Sequence, residues 1–239
     1  MEMLPKTVLV TGCTKGIGRA LVDIFASHGY HVAGCARNKE DLTNLFVELS
    51  TRFPKQRFFF ESCDAADAEL LKIFGQDVLR EFGSLDVLIN NAGVFMPGSI
   101  AEEAPGAFEK QFQTNVGSAY HLSRTLLPAM KKAKSGIIIN ICSTAGITAY
   151  PNGGSYCISK FAMRGMSKVL REELKPDGIR VSTIIPGATL TNSWSGTDLP
   201  ESRFMPVEDV AHMVYSICEL SPRTVVEEII LRPQEGDIN

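Results

Sequence analysis

The chain has 239 residues, 44% hydrophobic and 21% charged, with a net charge of −3. That is the balance of a globular protein able to bury a sizeable core. It gives no electrostatic footprint for nucleic acid, and no apolar run approaches the roughly 18–20 residues that span a bilayer. The N-terminal "MEMLPKTVLVTG" enters a strand without a charged-then-apolar leader, and the six cysteines (13, 35, 63, 142, 157 and 218) form no CxxC pair. Reduced thiols and a cytoplasmic location are therefore expected. The four histidines (28, 31, 121 and 212) lack metal-ligand spacing, so no metal is expected.

The first strand, "KTVLVT" (6–11), runs into "TGCTKGIG" and a helix over 17–28. Glycines in a strand-to-helix turn permit a tight bend and close approach of a pyrophosphate, and the helix start offers it free N–H groups. Gly12, Thr14, Lys15, Gly16, Ile17 and Gly18 are the candidate cradle. The second strand, "HVAGCA" (31–36), ends at Ala36 and Arg37 before a helix over 39–53. A carboxylate at that strand end would bind a ribose 2′-hydroxyl, whereas arginine accommodates a 2′-phosphate. With Lys15 as a second cation, Arg37 points to NADP(H) over NAD(H). Solvated surface charge is the plainer reading of both residues.

The third strand (57–62) leads through "SCDAAD" into a helix over 66–82, which Asp64 could cap. The fourth (86–90) ends in "NNAG". A long helix over 106–131 contains Asn115, which could instead make only local side-chain bonds. The fifth strand (136–141) ends just before Ser143 in "NICSTAG". Ligands of open α/β sheets bind beyond the carboxyl ends of strands, so Ser143 faces the crevice. The helix over 155–175 opens on "SYCISK", which sets Tyr156 and Lys160 on one face at i, i+4, with residues 157–159 as filler. A strand (180–185), a helix (206–219) and a last strand (228–232) complete the chain.

Continuous Val/Ile/Leu runs suit strands buried on both faces, and strict alternation with helices implies right-handed crossovers. The expected class is α/β: a Rossmann-type doubly wound parallel sheet of about seven strands with helices on both faces. One nucleotide-binding domain is expected over 1–239. The irregular stretch 192–206, which holds the only tryptophan, is expected to be a substrate-lid loop.

TGxxxGIG at 11–18, NNAG at 90–93, Asn115, Ser143, YxxxK at 156–160 and PG at 186–187 occur together in one order. In this set the chain resembles the short-chain dehydrogenase/reductase family of standard length, over residues 6 to about 191. The resemblance implies that Asn115, Ser143, Tyr156 and Lys160 are catalytic, with Asn115 helping to hold a water that relays protons. It implies that Lys160 also reaches the nicotinamide ribose and that Asp64 accepts from the adenine amino group. Asn91, Ala92 and Gly93 would line the adenosine side, and Pro186, Gly187 and Thr191 the carboxamide end.

The chemistry follows from the groups. Ketone reduction needs hydride on carbon and a proton on oxygen. A phenol titrates near pH 10, and a neighbouring ammonium is expected to lower that value, bringing it closer to the working range. Ser143 would support the charge developing on the substrate oxygen.

The expected activity is therefore NADP(H)-dependent interconversion of a ketone and a secondary alcohol. Its partner is a small carbonyl or alcohol compound, with 3-oxoacyl and 3-hydroxy acid types included. The ending "EEIILRPQEGDIN" lacks the Asp-Gly-Gly of many acyl-carrier reductases, which weighs against that subclass. Phe95, Met96, Tyr150 and Trp194 are expected to line a mostly apolar substrate pocket. Arg203 is its one cation, or else a solvated loop charge. The resemblance also implies a homodimer or homotetramer built through the helices 106–131 and 155–175. The alternative is a non-enzymatic NADP(H)-binding sensor or scaffold with the same fold.

Overall fold

A computed structural model describes residues 5–194 and 196–238. Seven strands form one parallel sheet: β1 (Thr7–Thr11), β2 (His31–Ala36), β3 (Phe58–Ser62), β4 (Val87–Asn90), β5 (Ile137–Ile141), β6 (Arg180–Pro186) and β7 (Glu228–Leu231), in the order β3-β2-β1-β4-β5-β6-β7. Side chains alternate faces along each strand. Val8 and Val10 of β1 therefore enter one core, with Leu21, Phe25, Val210 and Val214, while Leu9 enters the other, with Leu71, Phe74, Leu122 and Leu126. The helices α1 (Gly16–Ser27) and α7 (Val207–Glu219) pack together on the first face; α3 (Ala68–Phe82) and α5 (Ser118–Ala133) pack on the second. β1, β4 and β5 are buried along their whole length, as their unbroken aliphatic runs require.

Strand ends and helix bounds depart from the expected ones by at most about two residues, with one exception. The helix expected over 106–131 consists of α4 (Ala107–Phe112), a wider π turn (Gln113–Gly117) and α5. Such turns insert a residue into a helix and reset its faces, and they occur often at functional positions. Asn115 lies inside this one.

Two side chains fix where the helices near the sheet's carboxyl edge begin. Asn38 caps α2 (Lys39–Arg52) by accepting from the N–H groups of Glu40 and Asp41. Asp67, not Asp64, caps α3 through the N–H groups of Glu69 and Leu70. Asp64 instead accepts from the N–H of Ala66 at 3.0 Å through Oδ1. Removing the cap with Asp67→Ala is expected to cost about 1 kcal/mol of stability. Chemical denaturation reads this, and an unchanged midpoint would count against the assignment. No helix of the described residues is long and apolar enough to cross a membrane.

Candidate active site

The site is assembled where the strand order reverses, between β1 and β4. The connection from β1 to α1 passes through Gly12 (φ 67°) and Gly16 (φ 54°), left-handed conformations that side chains disfavour. Gly18 has no room for a Cβ, which would overlap the Gly12 carbonyl and the Asn91 amide. The start of α1 therefore lies against the turn. Thr11 Oγ1 accepts from the N–H groups of Asn91 and Ala92 (3.0 and 2.9 Å), and Asn91 Nδ2 donates to the Thr11 carbonyl (2.8 Å). These bonds tie the ends of β1 and β4 together under a cleft of about 1240 Å³.

Gly12, Thr14, Lys15, Gly16, Ile17 and Gly18 all line this cleft, as do Arg37, Asp64, Asn91, Ala92 and Gly93. Lys15 Nζ is not a free cation: Asp41 Oδ2, from the first turn of α2, lies 3.1 Å away. Arg37 makes no ion pair among the described residues. The cation available to a phosphate at this end is therefore chiefly Arg37, with Lys15 partly neutralised. Sequence reasoning missed Asp41, because helix spacing relates it to its own turn and not to the glycine loop.

At the other end, Ser143, Tyr156, Lys160, Pro186, Gly187 and Thr191 line the same cleft. Ser143 follows β5 and its Oγ accepts from the Ala145 N–H at 3.2 Å. Tyr156 stands in the first turn of α6 (Gly154–Leu174), its ring steeply inclined to that of Phe95 with centroids 4.9 Å apart. Lys160 Nζ donates to the Ile141 carbonyl at 3.1 Å and lies 5.7 Å from the Tyr156 ring centroid. The Cys142 thiol donates to the Lys160 carbonyl (3.3 Å), a packing role in which burial pushes the thiol pKa up. All six cysteines are buried with free thiols.

The electrostatics correct one expectation. The ammonium does not lower the phenol's pKa; burial pushes Tyr156 up to about 12, only partly opposed by a hydrogen bond from Ser143. The same burial moves Lys160 down. Both charged forms lose water in this pocket, and that loss outweighs attraction between groups that do not touch. The phenol is therefore protonated at neutral pH.

Four further residues meet surroundings that the sequence did not announce. Asn115 does not line the cleft: it is fully buried behind Gly93, and both ends of its amide are hydrogen-bonded. Its Oδ1 accepts from the Val94 N–H (2.7 Å), and its Nδ2 donates to the Val94 carbonyl (3.0 Å) and Ser159 Oγ (2.9 Å). Ser159 is consequently no filler, since its hydroxyl also donates to the Tyr156 carbonyl at 2.7 Å. Met96 is absent from the cleft lining, its N–H bound by Gln111 Oε1 at 2.9 Å, whereas Phe95, Tyr150 and Trp194 are present. Arg203 faces the C-terminal tail: its guanidinium lies 3.5 Å from Glu235 and donates to the Asp237 carbonyl at 3.4 Å. That tail supplies Asp237 and Ile238 to the cleft, two residues that no motif announced.

The description "short chain dehydrogenase" matches residues 6–201. The chain belongs to this family. Among its members, sepiapterin reductase of Chlorobaculum tepidum is 31% identical over 239 residues, covering 97% of each chain. The 3-oxoacyl-[acyl-carrier-protein] reductase of Haemophilus influenzae is 33% identical over 190 residues, covering 80% of this chain and 76% of its own. An alcohol dehydrogenase from Thermococcus sibiricus, solved in complex with 5-hydroxy-NADP, superposes with a TM-score of 0.91 at 26% identity, covering 99% and 100% of the two chains. As a short-chain dehydrogenase/reductase, the protein is an oxidoreductase with the family's Rossmann-type sheet.

Proposed function

We propose that this oxidoreductase reduces the carbonyl of a small molecule with NADPH, Tyr156 giving the proton. The observation that carries the reading is the convergence of Ser143, Tyr156 and Lys160 at one end of a cleft whose other end is a glycine turn beside Arg37. The cradle fits a dinucleotide. Gly18 leaves no space for a side chain where the helix start must approach a pyrophosphate, and Arg37 has the charge and planar donors for a 2′-phosphate. The NADP analogue in the Thermococcus sibiricus enzyme supports the same choice.

When bound, NADPH supplies the hydride. The protein's residues do the rest. Ser143 holds the substrate oxygen and disperses its developing charge, and Tyr156 delivers the proton. Lys160, anchored on Ile141 and lining the same end of the cleft, would hold a ribose hydroxyl of the cofactor. Asn115 acts behind the wall, fixing Val94 and Ser159. Phe95, Tyr150 and Trp194 receive the substrate's apolar flank. Arg203 is committed to the tail, and Lys110 of α4 is the further cation in the cleft lining that an anionic substrate head could meet.

A panel of ketones, quinones and 3-oxoacyl thioesters, followed by NADPH oxidation, tests the reading. Tight NADPH binding without turnover across the panel would favour a sensor. Exposed Ile158, Phe161 and Val169 on α6 and Tyr120 on α5 support pairing of two copies through these helices, which light scattering checks.

A phenol pushed up to about 12 sets the pH dependence. Reduction uses the protonated form, so kcat/KM at saturating NADPH should stay level from neutrality into the alkaline range. Oxidation uses the phenolate and should rise with pH over that same interval. A reductive limb that collapses near pH 7 would remove Tyr156 as the donor.

A further inference from the structure

The helix that carries Tyr156 has no cap of its own: Gly153, at its N-cap, offers no side chain to the free N–H groups. The cap comes from another part of the chain. Glu103, in the loop after β4, accepts the Ser155 N–H at 2.7 Å through Oε1, and its Oε2 accepts from the Ser155 hydroxyl. Two glycines make room for it. A Cβ on Gly154 would overlap the Glu103 carboxylate and the Gly98 carbonyl, and a Cβ on Gly98 would overlap the Glu103 side chain.

Backbone pairing holds the loop in place. Gly98 bridges Gly153 and donates to the Asn152 carbonyl at 3.0 Å. The Ser99 carbonyl accepts from both Glu102 and Glu103, at 2.9 Å each. No cation pairs with Glu103 among the described residues. Its charge faces the positive end of α6, where a carboxylate is stabilised. The segment that reaches Glu103 also carries Phe95, whose ring packs against that of Tyr156.

We propose that Glu103 is a positioning residue for the proton donor: it clamps Ser155, the residue before Tyr156, and so sets where the phenol stands relative to Ser143. This rests on the reading of Tyr156 as the donor. A cap that only adds stability would lower the unfolding temperature and leave the chemical step alone. A positioning residue changes kcat at temperatures where the protein is fully folded, because small displacements of a reacting group are costly.

The test measures kcat, KM and NADPH affinity for Glu103→Ala, Glu103→Gln and Ser155→Ala, using the best carbonyl compound of the panel. Glu103→Ala is expected to lower kcat about tenfold or more, with NADPH affinity by fluorescence and the carbonyl KM nearly unchanged. Glu103→Gln keeps the shape and the acceptor for the Ser155 N–H, so it should recover most of the rate. Amide hydrogen exchange over residues 155–160 should accelerate in Glu103→Ala without any need for turnover. Wild-type kcat in Glu103→Ala, whatever its melting temperature, overturns the proposal. Should that variant not fold, Ser155→Ala, which removes the hydroxyl half of the clamp, is expected to lower kcat and speed exchange over 155–160, and wild-type values of both in Ser155→Ala overturn the proposal equally. Tyr156→Phe runs beside them: if it stays active the proposed function fails, while the exchange measurement still reads the clamp.

Discussion

Tyr156→Phe is expected to lower kcat for carbonyl reduction by ~10²–10⁴-fold, the usual contribution of a positioned general acid, while NADPH still binds. The substitution removes one oxygen from a ring already wedged against Phe95, so the packing that orients residue 156 survives. What is lost is the proton. Burial keeps the Tyr156 phenol protonated at neutral pH, while Lys160 is turned to Ile141 and Asn115 is sealed behind Gly93. Kinetics with a good ketone, alongside a fluorescence titration of NADPH, separates the outcomes. A variant that retains most of its turnover would end the mechanism; one that no longer binds NADPH would assign Tyr156 to the cofactor.

Arg37→Asp is expected to weaken NADPH by roughly 10²-fold and NADH far less. Loss of a charge-assisted hydrogen bond costs about 1.5–3 kcal/mol, and the new carboxylate adds repulsion. The effect should be large because Lys15 is a weak reserve, held 3.1 Å from Asp41. The same carboxylate could accept from a ribose 2′-hydroxyl, which cushions NADH. Parallel titrations decide it, and an equal loss for both cofactors would mean that Arg37 does not read the 2′-phosphate.

The sheet was legible because its signal is local: unbroken runs such as Ile137–Ile141 state that a strand is covered on both faces. The glycine turn and the Tyr156/Lys160 pair were legible for a similar reason, since their meaning lies within one turn of chain. What stayed hidden was set across the fold. Glu103 reaches Ser155 over 52 positions, and Arg203 finds Asp237 over 34. The π turn has nearly the residue period of the helices beside it, so "QTNVG" gave no sign of a break. Met96 adjoins Phe95, yet a single bond from its N–H to Gln111 separates their fates. The phenol's pKa could not be read from i, i+4 spacing, which reports neighbours and says nothing of water.

The strand order carries a consequence for how the chain comes to be folded. β1 pairs with β4 across the seam beneath the cleft, and the bonds between Thr11 and Asn91 that close it join residues 80 positions apart. Pairings so distant in sequence form slowly, so the seam should be among the later events of refolding. A nucleotide that grips both flanks binds only the finished protein and stabilises it by mass action, about 2.7 kcal/mol at a hundredfold excess over its dissociation constant. In the cell, cofactor supply would then govern how long each copy lasts as well as how fast it works.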